Sequence, residues 1–458
     1  MPSDGRAQNT VLEQLNNVIT DTASIIQLFV KDPLRDFTRN RKLGAETFIK
    51  VALNMQGNSL NAELLNAFPN PNERMTASAY EQQKDKILPE LFEYILREFN
   101  ETHLHPKRMN GYRLYAIDGS DFNLPYSKDS PYAQTPAKKK SKNKDGTFPK
   151  DPKPFCMFHA NILYDIENRT YQDCIIAEDE RSSALTLVKR MNETEPFIVV
   201  MDRGYEGFNN FETLNRIPNC HFVIRTKTGT GGIREIAELP DKEIDTEIEF
   251  TIVTTAKQFR LNENAHMINV HEGRYKEVLS PKTRYGKWDF ESPCKVRYRV
   301  VKFKINDEES GKECWEVLVT NLNRFRFPIN EMKKLYHKRW DIETSFRELK
   351  YALGAIQFHS KKPEFQYMEL LANMIMFNAV SRSIACVSIK EKERKWDYAI
   401  DFKMAVLLTR LYFRIDCHAP PGKLYEELAM YINPVRLGRS NKRNLRPKSA
   451  VWFLYRVA

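Results

Sequence analysis

Two aspartates that follow apolar runs are the first residues in the sequence to suggest a reaction. Asp118 follows the run RLYAI and Asp202 follows FIVVM, so we expect each carboxylate at the end of a strand. A carboxylate at the end of a buried strand loses solvation unless a partner compensates its charge, and a divalent cation is one such partner. Considered alone, each aspartate is explained equally well as a cap in a strand-to-helix turn.

A third carboxylate lies in the segment YHKRWDIETSFRELK, residues 336–350. At about 100° per residue in a helix, one face within roughly a 60° sector carries Tyr336, Arg339, Glu343 and Lys350. An exposed ladder of ion pairs would show the same pattern, because helix faces of mixed charge are common. Together with the two aspartates, the face favours catalysis. Three carboxylates on separate elements can hold two Mg²⁺ ions about 3.5–4 Å apart, an arrangement used for phosphoryl transfer on nucleic acid.

The composition of the chain agrees with an anionic partner. Its 458 residues include 71 Lys and Arg against 60 Asp and Glu, a formal net charge of +11 that favours nucleic acid. None of the seven cysteines has C-x-x-C spacing, so we expect reduced thiols in a cytosolic protein rather than a disulfide framework or a zinc ribbon. We expect neither a signal peptide nor a membrane-spanning helix, because no apolar run approaches about 18 residues.

The elements that must position these residues begin with a helical region, residues 1–105. It includes a pair of short helices around Gly57, which fits either a helix-turn-helix or a plain helical hairpin. Residues 106–226 are predicted as three antiparallel strands, a helix, a strand, a helix and a strand, which make a mixed sheet with flanking helices. Two of the strands form a hairpin, Cys156–Tyr164 with Thr170–Ile176.

The second half of the chain is predicted as three further parts. Residues 227–325 carry alternating and β-branched patterns without a clear helix, and we predict an all-β insertion. Helices return in residues 326–385, where one helix is expected to run from Ile329 past Leu353. Residues 386–458 are predicted as a helical region with a basic tail. Basic residues suited to phosphate contacts cluster in three stretches, at 35–42, 138–153 and 436–456.

The spacing Tyr336-x2-Arg339-x3-Glu343-x6-Lys350 resembles the Y-R-E-K signature of IS4-type DDE transposases. IDGSDFNLP at 117–125 and MDRGY at 201–205 are similar to the two aspartate segments of this family, and FVIRTK at 222–227 is similar to a strand that contacts the transposon end. The acids are 202 − 118 = 84 and 343 − 202 = 141 residues apart. FTRNRKLGAETFI and TASAYEQQKDKILP also resemble its N-terminal region, so the resemblance covers nearly the whole chain.

The resemblance implies a ribonuclease H-like α/β fold, interrupted by the insertion before its last helices. It implies that the catalytic residues, which also hold Mg²⁺ or Mn²⁺, are Asp118, Asp202 and Glu343. It implies that the DNA end is bound by Arg225, Tyr336, Arg339 and Lys350. It further implies a tryptophan that stacks on a flipped base. Trp315, 21 residues before Tyr336, is in the corresponding place. Trp288 is a second candidate, and a position in the core is the alternative.

The function implied by the resemblance is DNA transposition. The protein would bind the terminal inverted repeats of an insertion sequence and then cleave and join DNA strands. Its partners would be double-stranded DNA and, with two ends bound, a second copy of the chain, in the cytoplasm of a bacterium near the nucleoid. Two alternatives stay open: an inactive or repurposed DNA-binding protein such as a repressor, and a structure-selective nuclease of the same fold. The intact set of three acids favours the transposase, and the long basic segments disfavour the nuclease.

Overall fold

The computed structural model describes residues 10–39, 42–136, 153–191, 193–228, 232–268, 288–306, 313–389, 396–420 and 422–435. Residues 138–152 and 436–456, which belong to two of the basic stretches predicted from the sequence, therefore lie outside the described residues.

The helices of the described residues are α1 (Val11–Ser24), α2 (Ala45–Asn54), α3 (Leu60–Ala67), α4 (Ala77–Lys84), α5 (Glu90–Glu101), α6 (Glu180–Arg190), α7 (Phe208–Arg216), α8 (Arg234–Ala237), α9 (Ala256–Leu261), α10 (Ile329–His337), α11 (Trp340–Tyr351), α12 (Pro363–Ala385), α13 (Phe402–Tyr412) and α14 (Lys423–Leu428). The strands are β1 (Arg113–Leu124), β2 (Ala133–Gln134), β3 (Phe155–Asp165), β4 (Thr170–Ile176), β5 (Phe197–Met201), β6 (Cys220–Arg225), β7 (Ile244–Val253), β8 (Ala265–Met267), β9 (Cys294–Asn306), β10 (Glu313–Thr320), β11 (Asp397–Ile400) and β12 (Ile432–Val435).

A mixed sheet forms the centre of the protein. Its first five main strands lie in the order β4-β3-β1-β5-β6. β3 is antiparallel to both β1 and β4, whereas β5 is parallel to β1 and β6 is parallel to β5. This order and these directions, with helices after β4, β5 and β10, are those of a ribonuclease H-like fold. The predicted fold class is therefore confirmed.

The sheet is buried on both faces because its strands carry apolar residues at consecutive positions. In β1, Leu114 and Ala116 belong to the core beneath α10, α11 and α12, whereas Tyr115 and Ile117 belong to the core beneath α6 and α7. The run FIVVM of β5 divides in the same way. Burial of one such side chain contributes about 1.5–3 kcal/mol, so the apolar half of β1 is firmly fixed between the two helical layers.

The segment predicted as an all-β insertion continues the same sheet. β10 pairs antiparallel with β6, and β9, β7 and β8 follow in that order. The segment also contains two short helices, α8 and α9, which the alternating patterns of the sequence did not indicate. The insertion thus extends the sheet beyond β6 and adds a long surface beside it.

The helix α12 connects the sheet to the N-terminal helices. It packs against α1, α2, α5 and β4, and the buried side chain of Asn378 forms two hydrogen bonds with the backbone of Tyr171 in β4, at 2.7 and 2.8 Å. The predicted pair of short helices around Gly57 is present as α2 and α3, and Ser59 caps α3. In the described residues, no helix is long and apolar enough to span a bilayer.

Candidate active site

Asp118 lies in the middle of β1 rather than at its end, which corrects the prediction from the sequence. The strand continues through GSDFNL to Leu124 because residues 119–124 pair with residues 156–161 of β3. The side chain of Asp118 points to the same face as Ala116 and Phe122, towards α11, and is 20% exposed. Its Oδ1 accepts a hydrogen bond from Gly119 N at 2.9 Å.

Asp202 follows β5 directly, as predicted, and begins a turn of 3-10 helix over Arg203–Tyr205. Its Oδ1 accepts a hydrogen bond from Gly204 N at 2.6 Å. Since Ala116 pairs with Val200 in the parallel ladder, two residues further along each strand bring Asp118 and Asp202 to the same level. The first two carboxylates therefore lie at the same level beside the carboxyl end of β5, in the middle of the sheet.

Glu343 lies on α11, and Arg339 connects it to Asp118. One terminal nitrogen of the guanidinium, Nη1, is 3.4 Å from Asp118 Oδ2, and Nη2 donates to Glu343 Oε1 at 3.0 Å. The whole residue is only 4% exposed. The structure thus brings together two of the predicted ligands, with a cation between them.

The helix expected to run without interruption from Ile329 past Leu353 is divided at Lys338 and Arg339. Around the break, Arg339 N donates to Tyr336 O at 3.0 Å and Ile342 N donates to Arg339 O at 3.2 Å, which are the tighter bonds of a 3-10 turn. The segment contains neither Gly nor Pro, so its sequence carries no signal for the break. The contacts of the Arg339 side chain with two acids help to stabilise it.

The electrostatics of this cluster favour an added cation. Burial raises the pKa of Asp118 to about 7, and the neighbouring charges of Asp202 and Glu343 act in the same direction while Arg339 opposes them. Ionised together, the three acids would concentrate more negative charge than the guanidinium balances.

The predicted metal is consistent with the chemistry of these side chains. Three carboxylates supply the hard oxygen donors that Mg²⁺ prefers, and the guanidinium of Arg339 already takes the place of a cation between two of them. As they are arranged, no group of three or more His, Cys, Asp or Glu side chains in the described part of the chain could hold a metal ion. Binding of a metal by these three acids would therefore require a rearrangement of their side chains.

Lys350 and Tyr336 lie on either side of this cluster along the chain. Lys350 Nζ donates to Ser120 Oγ at 2.8 Å and to the backbone oxygen of Asp121 at 2.7 Å, which ties α11 to β1. Burial lowers the pKa of Lys350 to about 8. The ring of Tyr336 is buried, and among the described residues its hydroxyl has no hydrogen-bond partner.

Arg225 and the two predicted tryptophans each have different surroundings. Arg225 Nε is 3.2 Å from the buried carboxylate of Glu316 in β10. The positive charge of Arg339 also acts on this carboxylate. Trp315 alternates with Glu316 and so points to the other face of the sheet, where Lys302 and Lys304 lie 5.1 and 5.6 Å from its ring. Trp288 is a core residue, 7% exposed.

An exposed tryptophan that sequence reasoning missed adjoins the cluster. Trp340 is 44% exposed and its ring centre lies 4.6 Å from the guanidinium carbon of Arg339. The signal was present in the sequence, because Trp340 directly follows Arg339 in the segment 336–350. It therefore presents an aromatic face beside the acids.

On the opposite face of β1, His159 lies between two acids. Its Nδ1 is 2.7 Å from Asp121 Oδ1 and its Nε2 is 3.2 Å from Glu180 Oε1. These carboxylates raise the pKa of His159 to about 9, so the ring is cationic at neutral pH.

Comparison with known proteins shows similarity to transposases. A family model described as a transposase DDE domain matches residues 109–379, more than half of the chain. A curated relative, transposase InsG for insertion sequence element IS4 of Escherichia coli strain K12, is 38% identical over 72 residues, 15% of this chain and 16% of that protein. The matched region thus spans about a sixth of that relative.

A solved structure, a cryo-EM structure of the piggyBac transposase synaptic complex with hairpin DNA, superposes with a TM-score of 0.42 at 11% identity. The superposition covers 96% of this chain and 89% of that chain.

Proposed function

The chain belongs to the family of transposases with a DDE domain, and from this premise we propose that it binds the terminal inverted repeats of an insertion sequence and catalyses metal-dependent cleavage and joining of DNA strands. The observation that carries the proposal is the meeting of acids from three elements, β1, the turn after β5 and α11, with Arg339 between Asp118 and Glu343. Such a cluster of charge beside a cationic surface fits phosphoryl transfer better than binding alone.

The three carboxylates, Asp118, Asp202 and Glu343, would hold the divalent metal. When bound, Mg²⁺ supplies activation of the attacking water or 3′-hydroxyl and stabilisation of the leaving oxygen. The sheet contributes rigidity, because Asp118 and Asp202 extend from strands that are buried on both faces. The strands thus fix the backbone of both aspartates, so that the rearrangement which metal binding requires falls on side chains.

The cationic side chains around the acids would place the DNA end. Arg339, once released from Asp118 and Glu343, has two parallel donors that match a phosphate. Lys350 presents a point charge at the Ser120 side of β1. Arg225 and Tyr336 would complete this surface, and the exposed ring of Trp340 offers a face on which a base can stack. Trp315 would act from the other face of the sheet, among Lys302 and Lys304.

The parts outside the core would divide the remaining tasks. Residues 1–105 would contact DNA, residues 227–325 would form the insertion between the two parts of the ribonuclease H-like core (106–226 and 326–385), and residues 386–458 would contact both DNA and a second copy. Because two ends must be cut in concert, we expect a dimer that bridges two DNA ends at the bacterial nucleoid. Sedimentation of the cleavage-competent complex checks this, and one protein on one DNA would contradict it.

The proposal is tested with DNA from the borders of the insertion sequence that encodes the chain. Asp118→Asn, Asp202→Asn and Glu343→Gln keep the shape of each side chain and remove its charge. We expect Mg²⁺-dependent cleavage to fall by about a thousandfold or more, a loss of about 4 kcal/mol in transition-state stabilisation. Binding of end DNA in EDTA should hold or strengthen, because a negative charge beside the phosphate is removed.

Glu348→Gln is the matched control, because Glu348 lies on the same helix and pairs with Arg169 at 2.7 Å, away from the cluster. It should cleave like the wild-type protein. If the wild-type protein binds the ends and never cleaves them, the binding-protein alternative replaces the transposase. If Glu343→Gln alone cleaves at the wild-type rate, the third ligand is misassigned.

A further inference from the structure

The ladder between β1 and β5 ends just before the two catalytic aspartates. Its last pair is Ala116 with Val200, so no ladder pair reaches Asp118 or the turn of Asp202. Beyond this point, side chains must hold the two elements together. They do so on the face of the sheet opposite to Arg339.

The first half of this connection reaches from β1 to α6. Asp121 and His159 are directly opposite each other in the β1–β3 pair, and Asp121 Oδ1 lies 2.7 Å from His159 Nδ1. The other ring nitrogen, Nε2, lies 3.2 Å from Oε1 of Glu180, the first residue of α6. The ring of His159 is 14% exposed, whereas the carboxylates of Asp121 and Glu180 are 43% and 40% exposed, so the contact joins a largely buried ring to two exposed acids.

The second half reaches from α6 to the turn of Asp202. Arg181, next to Glu180, donates from Nε to the backbone oxygen of Gly204 at 2.9 Å. Gly204 N donates to Asp202 Oδ1 at 2.6 Å. We call the set of Asp121, His159, Glu180 and Arg181 the α6 bridge, since it runs from β1 through α6 to the Asp202 turn.

Two glycines leave room for the α6 bridge next to the catalytic aspartates. A Cβ atom at Gly119 would lie 2.2 Å from His159 Nε2 and 3.1 Å from Glu180 Oε1. A Cβ atom at Gly204 would lie 3.2 Å from Glu180 Oε2. The same carboxylate therefore packs against the residue after Asp118 and against the turn that Asp202 caps.

We propose that His159 and Glu180 are positioning residues, which hold Asp118 and the Asp202 turn at the separation that divalent metal binding requires. The inference rests on the proposed function, since it assumes that these aspartates hold the metal. Neither residue touches the DNA in this role. Partners in an outer layer of this kind typically contribute about 10–100-fold to metal affinity.

The test compares His159→Ala, Glu180→Ala and the double variant in the full chain. Mn²⁺ binding is measured without DNA by the electron paramagnetic resonance signal of free Mn²⁺, and the Mn²⁺ concentration that half-saturates strand cleavage is measured separately. Each single variant should bind Mn²⁺ about 10–100-fold more weakly. The double variant should be no weaker than either single, because both substitutions break the same connection.

Three further variants separate the positioning role from a general effect on folding. Glu180→Gln keeps the shape of the side chain and an oxygen beside His159 Nε2, so it should recover most of the Mn²⁺ affinity. His159→Gln serves if the alanine variant does not fold, and it should weaken Mn²⁺ binding less than loss of the side chain. The matched control is His266→Ala, because His266 forms a similar contact with Glu235 at 2.9 Å in the insertion. It should leave Mn²⁺ binding unchanged.

The possible results separate this inference from the function on which it rests. A wild-type protein that neither binds Mn²⁺ nor cleaves would overturn both. A wild-type protein that does both, together with His159→Ala and Glu180→Ala variants of unchanged Mn²⁺ affinity, would overturn only the positioning role. Variants with a lower melting temperature and unchanged Mn²⁺ affinity would also overturn only the positioning role, since residues with a purely structural role give that result.

Discussion

Replacing Arg339 with Ala should destabilise the protein by an amount that depends on divalent metal. The guanidinium is nearly buried, with its nitrogens 3.4 Å from Asp118 and 3.0 Å from Glu343. Loss of one member of a buried ion pair costs about 3–5 kcal/mol, because a charge is left without compensation. The side chain of Glu343 is 29% exposed and water can partly replace its partner, so we expect the lower limit, about 3 kcal/mol.

The assay is thermal unfolding in EDTA and then in Mn²⁺. At about 2–4 °C per kcal/mol for a domain of 150–250 residues, the variant should melt about 6–12 °C lower in EDTA. Mn²⁺ should raise its melting temperature by more than it raises that of the wild-type protein, because metal then binds acids without displacing a guanidinium. Cleavage should fall less than in Asp118→Asn, since all three carboxylates remain.

Arg339→Lys is the control, because lysine keeps the positive charge but lacks the two parallel donors of arginine. Its melting temperature should lie between those of the wild-type protein and of Arg339→Ala. An Arg339→Ala protein that melts like the wild type in EDTA would refute the argument. So would an equal response of both proteins to Mn²⁺, since the guanidinium would then not compete with the metal.

Two further predictions concern DNA. If a base is flipped during the reaction, Trp340→Ala should slow the step after the first nick more than Trp315→Ala does. The reason is that Trp340 adjoins Arg339, while Trp315 points to the other face of the sheet. Assays on intact and pre-nicked end DNA separate the two steps, and equal effects of the two variants would contradict this prediction. Deleting residues 436–458 should flatten the slope of log K against log salt by about 0.9 for each phosphate that the tail neutralises, and an unchanged slope would exclude the tail from DNA binding.

The parts of the fold that could be predicted are the strands whose apolar sequence pattern matches their burial in the core. The hairpin predicted as Cys156–Tyr164 with Thr170–Ile176 is observed as β3 and β4 within one residue at each end. The run FIVVM predicts β5 equally well, because consecutive apolar residues are typical of a strand covered on both faces. In these segments, the core alone determines the structure.

The failures lie where side chains do something other than fill the core. The second half of β1, GSDFNL, lacks the apolar run of the first half, so the strand was expected to end at Asp118. The helix break at Lys338 and Arg339 likewise could not be predicted, because the segment contains neither Gly nor Pro. At the break, the side chain of Arg339 contacts Glu343, four residues away, and Asp118, 221 residues away in sequence, and the second of these contacts is invisible to a local pattern.

The polar half of β1 shows how this fold combines a firm core with a charged site. Apolar packing holds Leu114–Ile117 on both faces, and it returns at Phe122 and Leu124. Between them, residues 118–121 carry charged and polar groups, as functional sites often do against local preference. Polar contacts of cationic side chains fix this part of the strand. Arg339 and Lys350 contact it from the side of α11, and His159 contacts it from the opposite face. Since the contacts of Arg339 are with Asp118 and Glu343, part of what keeps the strand in place is what a metal or a DNA phosphate would rearrange. Stability in this region and catalysis are therefore expected to change together, whereas substitutions in the apolar half of the strand should affect stability alone.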